Sequence, residues 1–166
     1  MKYFLIGFMG SGKSTLGKKL SKELNLSYID LDKYIEKHEN QDIATIFKIH
    51  GEKGFRNLEK KYLIEILRKD NILISTGGGT PIFNNLMQIM NDSGTTIYLK
   101  CSTKTLFKRL ENDIKRRPLI SSLTKEKLSE YIRTNLQKRE EFYKESQYTI
   151  DNNDEIDVEY ITSKLR

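Results

Sequence analysis

The stretch Gly7-Phe8-Met9-Gly10-Ser11-Gly12-Lys13-Ser14 satisfies G-x-x-x-x-G-K-[ST] at every fixed position. Its glycines let the backbone curl so that successive N–H groups point at phosphate oxygens. Lys13 can then reach the terminal phosphates, and the Ser14 hydroxyl can ligate Mg²⁺. A loop of this kind belongs between a strand and a helix, and both flanks comply. Tyr3-Phe4-Leu5-Ile6 is a short apolar strand run, and Leu16, Leu20 and Leu24 mark one face of a helix.

Downstream, strand and helix patterns alternate. Ser27 to Asp30 reads as a second strand, followed by a helix from about Lys33 to His38. Asp42 can N-cap a helix carrying Ile43, Ile46, Phe47 and Ile49. Gly51 to Gly54 breaks it, and a longer helix runs from about Phe55 to Lys69. Asn71 to Ser75 is a third strand that ends in Thr76-Gly77-Gly78-Gly79, and Pro81 suits the start of a helix. A fourth strand (Thr95 to Lys100), a helix (Thr103 to Glu111), a fifth strand (Tyr148 to Ile150) and a last helix (about Ile156 to Leu165) complete the series. This alternation predicts an α/β fold: a parallel sheet covered by helices on both faces, with ligands at the carboxyl ends of the strands. With no repeat, low-complexity tract or linker, residues 1–166 read as a single domain.

Charge adds a partner class. Lys and Arg number 29 against 23 Asp and Glu, a net charge of +6, which suggests anionic partners. The signs are interspersed and no long basic tail exists, so a polyanion such as ATP explains the bias as well as nucleic acid does. The single cysteine, Cys101, cannot form an internal disulfide, which suits a reducing, cytoplasmic setting. Met1 to Gly10 is too short an apolar stretch for a signal peptide or membrane span.

The polar residues that interrupt apolar patterns sit near strand ends. Asp30 and Asp32 close the second strand as Asp-Leu-Asp; if the stretch is extended, both carboxylates face one pocket. One acid could hold the water shell of Mg²⁺ and the other accept a proton from a hydroxyl, although Asp32 could equally N-cap the next helix. Arg56 and Glu59 are three apart on one helical face, either a surface pair or an arginine held by an acid to capture a carboxylate. Gly77-Gly78-Gly79 allows close approach of a ligand to backbone N–H groups, or is a plain turn. Lys115-Arg116-Arg117-Pro118 is a solvated charge run or a lid whose arginine closes on phosphates. Arg139 falls on the apolar stripe Leu128, Ile132, Leu136 and Tyr143, where an inward guanidinium needs an anionic partner. His38, His50 and Cys101 are assigned no chemistry.

These segments, in this order, resemble the shikimate kinase family over nearly the whole chain. They are Gly7 to Thr15, Asp30-Leu31-Asp32, Ile46-Phe47 with Gly51-Glu52, Phe55-Arg56-Asn57-Leu58-Glu59, Gly77 to Gly79, Arg116-Arg117-Pro118-Leu119, and Lys138-Arg139 with Tyr143. The resemblance implies a three-layer α/β/α P-loop NTPase fold of the nucleoside-monophosphate-kinase-like type, with a five-stranded parallel sheet in order 2-3-1-4-5. It implies Mg²⁺-dependent transfer of the ATP γ-phosphoryl group to the 3-hydroxyl of shikimate, on the chorismate route to aromatic amino acids. By position, it implies ATP binding by Gly10, Ser11, Gly12, Lys13, Ser14, Thr15 and Arg117, with Ser14 and Asp30 at the metal and Ser75 acting through water. Shikimate would meet Asp32, Phe47, Phe55, Arg56, Gly77, Gly78, Gly79 and Arg139, and Lys13, Asp32 and Arg117 would carry the chemistry. The implied substrate-binding region covers about 31–62 and the mobile lid about 112–124. The implied partners are ATP and shikimate, taken up by a cytoplasmic monomer, with no nucleic acid and no membrane.

Two departures stand out. The family usually carries a further lid arginine seven residues before the Arg117 position; that place holds Leu110, with Arg109 one residue off. The stretch Asp151-Asn152-Asn153-Asp154-Glu155, where the family wraps adenine, is one residue shorter and more acidic. Two alternatives remain open: another small-metabolite or nucleotide kinase, gluconate-kinase-like for example, and a nucleotide-gated switch or nucleic-acid-binding P-loop protein. Against the switch, no N-K-x-D guanine signature occurs, and the third strand runs into Ser-Thr-Gly.

Overall fold

Strands β1 (Lys2–Ile6), β2 (Ser27–Asp30), β3 (Ile72–Ser75), β4 (Thr95–Lys100) and β5 (Tyr148–Asp151) form one parallel sheet in the order β2-β3-β1-β4-β5. The computed structural model describes residues 1–117, 119–153 and 158–165. β1 is central and buried on both faces, which is why it reads as a continuous apolar run. Its residues alternate between two cores: Phe4 and Ile6 enter one, Tyr3 and Leu5 the other.

Helices α1 (Lys13–Glu23) and α7 (Val158–Leu165) cover the second face, where Leu16, Leu20 and Ile161 pack on Leu5, Leu73, Ile97 and Leu99. On the first face lie α2 (Leu31–Glu39), α3 (Ile43–Ile66), α4 (Leu86–Ser93), α5 (Thr103–Leu110) and α6 (Lys125–Tyr143). Leu31, Ile46, Leu63, Met90, Leu106 and Ile132 join their core. Among the described residues, no helix is long and apolar enough to cross a membrane.

Several predicted boundaries move, each for a physical reason. α2 begins at Leu31, because Asp30 is the N-cap and accepts the Lys33 N–H at 3.3 Å. Asp32 therefore sits in the first helical turn and neither caps the helix nor lies on an extended segment. Asp42 does cap α3, accepting the Thr45 N–H at 2.7 Å. The predicted break is confined to Gly51 (φ 65°, ψ −177°), and the helix resumes beyond it. Pro81 lies in a 3₁₀ turn, Thr80–Ile82, and α4 starts only at Leu86. Of the last predicted helix, residues 156 and 157 lie outside the described residues.

The segment between α5 and α6 differs from a plain charge run. It opens with a 3₁₀ turn at Ile114–Arg116, and Ile120 is fully buried in the first core while Leu119 remains exposed.

Candidate active site

The turn between β1 and α1 forms the phosphate cradle. Gly12 holds φ +90° at the start of α1, a conformation that strongly favours glycine. A Cβ there would also stand 2.8 Å from Asn152 Nδ2. Among the described residues no side chain caps α1, so the first-turn N–H groups are left to face a ligand. Lys13 is half-buried and turns back on the loop, donating to the carbonyls of Gly7 at 2.8 Å and Phe8 at 2.9 Å. Desolvation lowers its pKa to about 8, with the Asp32 carboxylate opposing. Ser11 points its side chain beneath the loop; it is buried, and among the described residues its Oγ finds no hydrogen-bond partner.

Beside the cradle, β2 and β3 end in register, Asp30 opposite Ser75. Ser14 Oγ donates to Asp30 Oδ2 at 2.9 Å, and the buried Ser75 Oγ donates to the Lys13 carbonyl at 3.1 Å. A hydroxyl and a carboxylate oxygen thus converge at the rim of an open cleft. Hard oxygen donors with space for water and phosphate oxygens are what Mg²⁺ takes, so Ser14 and Asp30 fit that ion.

This cleft, about 520 Å³, is lined by Gly10, Gly12, Lys13, Ser14, Thr15, Asp30, Asp32 and Arg117. A second cleft of about 580 Å³ lies alongside, lined by Phe47, Phe55, Arg56, Glu59, Gly79 and Arg139. Met9, Asp30, Asp32, Gly77, Gly78 and Arg117 line both. Asp32 stands at that seam, and its carboxyl is pushed up to about 7, first by desolvation, then by the Glu59 and Asp30 carboxylates, with Lys13 opposing.

The second cleft is built around a buried ion pair. Arg56 Nη1 donates to Glu59 Oε2 at 2.5 Å, and Glu59 Oε1 accepts from the Thr80 hydroxyl at 2.5 Å. Glu59 is fully buried and Arg56 nearly so, so this is no surface pair. Burial pushes the Glu59 carboxyl up, and the Arg56 guanidinium and Thr80 hydroxyl pull against that rise. The Arg56 guanidinium lies over Phe83 (4.5 Å) and Phe55 (5.3 Å), and its Nη2 reaches Glu52 at 3.2 Å. Its Nε has no hydrogen-bond partner among the described residues. Phe47 and Phe55 pack with ring centroids 4.6 Å apart and tilted by 34°, forming an apolar wall.

Arg139 comes from α6, half-buried, 5.3 Å from the Phe8 ring. The neighbouring Tyr143 hydroxyl donates to the Gly78 carbonyl at 2.5 Å and so ties α6 to the glycine run. Burial pushes the Tyr143 phenol up to about 12, with Arg139 opposing. Arg117 reaches both clefts and pairs through Nε with Asp113 at 3.3 Å; Pro118 lies outside the described residues.

Residues that the sequence reading left loose now have places. Leu110 is a core residue packed under Gly10, so no cation could stand there. Arg109 enters the phosphate cleft instead, donating to the carbonyls of Asn152 at 2.9 Å and Gly10 at 3.4 Å. Asn152, buried at the end of β5, donates through Nδ2 to the Ser11 carbonyl at 2.5 Å. Asp154 and Glu155 lie outside the described residues. Thr80 was missed as a site-forming residue, while Tyr143 was read only as part of the segment with Lys138-Arg139, and Asn152 only within the adenine stretch, with no role given to either.

A doubly covered parallel sheet of order β2-β3-β1-β4-β5 with a phosphate cradle after β1 defines a P-loop NTPase of the nucleoside-monophosphate-kinase-like type. Two contiguous clefts within it define a phosphotransferase of small acceptors. The family model described as "Shikimate kinase" matches residues 9–166. The shikimate kinase of Azobacteroides pseudotrichonymphae is 48% identical over 146 residues, covering 87% of this chain and 86% of the relative. That of Parabacteroides distasonis is 45% identical over 150 residues, covering 90% and 87%. The crystal structure of shikimate kinase from Bacteroides thetaiotaomicron superimposes with a TM-score of 0.92 at 38% identity, covering 99% of this chain and 96% of that one. Shikimate kinase from Acinetobacter baumannii in complex with shikimate gives 0.88 at 28%, covering 99% and 89%. A deoxyadenosine kinase from M. mycoides, at 23% identity and a TM-score of 0.62, shares the fold. The chain belongs to the shikimate kinase family.

Proposed function

We propose that this protein transfers the γ-phosphoryl group of ATP to the 3-hydroxyl of shikimate, giving shikimate 3-phosphate and ADP. One observation carries the reading: a phosphate cleft and a carboxylate-seeking cleft share the wall on which Asp32 stands. The acceptor side has two arginines for one carboxylate, an acid for hydroxyls and an aromatic wall for a ring. Charge-assisted hydrogen bonds from Arg56 and Arg139 contribute about 1.5–3 kcal/mol each, enough to reject acceptors without the acid. Relatives named shikimate kinase support the same acceptor.

The first-turn N–H groups of α1 hold the phosphates, and Lys13 leaves the loop carbonyls for the β- and γ-oxygens. Ser14 and Asp30, the latter through water, would hold Mg²⁺, which when bound supplies positive charge to the phosphate oxygens. Asp32 orients the 3-hydroxyl and takes its proton as the O3–Pγ bond forms and the bond from Pγ to the β-phosphate oxygen breaks. A base with a pKa near 7 is well matched to neutral pH. Arg117, at the seam, faces the charge that develops on the moving phosphoryl group. Arg109 is the nucleotide-side cation that Leu110 cannot be. Among the described residues, the lining of both clefts comes from one chain, which supports a monomer as the working unit, and the free Cys101 thiol fits a reducing cytoplasm.

Coupled ADP release with shikimate at sub-millimolar concentration tests the reading. Shikimate-dependent turnover that vanishes without Mg²⁺ is expected. Absence of shikimate-dependent turnover, or preference in an acceptor screen for gluconate or a nucleotide, overturns it.

A further inference from the structure

Tyr28 has no part in the roles above, yet its hydroxyl ends where the cation belongs. It lies 3.1 Å from Ser75 Oγ and 3.5 Å from Asp30 Oδ2. That carboxylate oxygen is the one that accepts from Ser14, while Oδ1 accepts the Lys33 N–H. Ser75 in turn donates to the Lys13 carbonyl, so one phenol joins two strand ends to the first turn of α1. The ring is held in place. A Cβ on Gly17 of α1 would stand 2.5 Å from Tyr28 Cε2, so the helix carries a glycine where the ring passes.

A carboxylate that reaches a cation must present one oxygen in a fixed direction. Outer donors that fix such ligands change metal affinity although they never touch the ion. Asp30 is at the cleft rim, where water competes for its oxygens. A phenol donor anchored in the protein resists that competition.

We propose that Tyr28 is a positioning residue for the metal site: its one hydroxyl proton, shared between Ser75 Oγ and Asp30 Oδ2, holds these two strand ends beside the cation and so tightens Mg²⁺ on the nucleotide complex. The inference rests on the assignment of Ser14 and Asp30 to Mg²⁺ above. Tyr28→Phe keeps the ring against Gly17 and removes only the oxygen. The measurement is calorimetric titration of Mg²⁺ into the protein–ADP complex, paired with ADP titration in EDTA. The half-saturating Mg²⁺ concentration is expected to rise roughly 3–10-fold in Tyr28→Phe, below the usual range for outer ligands because Asp30 acts through water. ADP affinity in EDTA is expected to stay within about twofold, since the phenol meets no phosphate-facing group. Ser75→Ala should raise the Mg²⁺ requirement less, and Tyr28→Phe on top of it should add less than it does alone. An unchanged Mg²⁺ requirement in Tyr28→Phe sinks the proposal while leaving the metal assignment intact. So does an equal loss of ADP affinity with and without metal, which marks a merely structural role. A wild-type protein whose ADP affinity ignores Mg²⁺ sinks the proposal together with the assignment beneath it.

Discussion

In the function proposed above, the phosphate cleft takes its cradle from one run of residues, Gly7 to Ser14, and would work mainly through backbone N–H groups at the start of α1. The acceptor cleft gathers Asp32 from α2, Arg56 and Glu59 from α3, Gly79 from the loop after β3, and Arg139 from α6. In the first, function is written into local backbone shape; in the second, charged side chains are locked by other buried side chains. Damage to the first should therefore cost rate and leave the fold alone. Damage to the second should cost fold and acceptor affinity together.

Glu59→Ala should show this most strongly. It removes the buried carboxylate from the Arg56 guanidinium, leaving only the exposed Glu52, takes the acceptor from the Thr80 hydroxyl, and should lower unfolding stability by about 3–5 kcal/mol in urea titrations. A loss below about 1 kcal/mol would mean that solvent reaches the pair. Lys13→Ala should lower kcat on the order of 10²–10³-fold, with unfolding stability nearly unchanged. A comparable loss of stability would erase the contrast between the clefts. Arg139→Ala should raise KM for shikimate about 10–100-fold, as expected for a lost charge-assisted bond, and leave KM for ATP within about twofold.

The smallest effect is a pH dependence at the seam. The folded pKa of Asp32, about 7, lies above its ordinary value of 3.8, so the folded state binds more protons between those pH values. Its contribution to stability is present below pH 4 and is lost as pH rises toward 7. Asp32→Asn should therefore stabilise the ligand-free protein by about 1–3 kcal/mol at pH 8 and by little at pH 4. The kcat/KM of the wild type should rise through about pH 7 as Asp32 ionises and fall above about pH 8 as Lys13 loses its proton. A variant that is no more stable at pH 8 would place Asp32 in contact with bulk water.

How far each cleft could be read beforehand follows the same division. The Gly7 to Ser14 loop is contiguous, and its flanking patterns lie close by, the apolar run Tyr3 to Ile6 before it and the stripe Leu16, Leu20 and Leu24 after it. Most strand limits followed from apolar runs with sharp ends, such as Thr95 to Lys100, whereas the sheet order came from the family resemblance. Arg139 was legible as a charge on an apolar stripe, and Arg56 and Glu59 as a pair three apart on one helical face, but the spacing left open whether that pair was buried or on the surface. Thr80 and the Tyr143 hydroxyl looked like ordinary turn and core residues, because their partners are 21 and 65 positions away. Asp32 stayed open as a possible cap because both acids precede the same helix, and only backbone geometry decides that Asp30 is the flanking residue. Ile120 was overlooked because one buried residue in a charged segment leaves no periodicity to read.

The loop after β3 holds one further consequence. A Cβ on Gly79 would stand 2.6 Å from Arg56 Cζ, although the backbone there (φ −94°, ψ −15°) suits any residue. Volume alone keeps position 79 empty, and Arg56 is what fills it. Inheritance at the two positions is therefore coupled in one direction. A lineage that shortened Arg56 would release position 79 to drift, and once alanine arrived there a returning arginine would have to move its guanidinium off Glu59. Divergence toward a different acceptor would therefore meet a step at that pair.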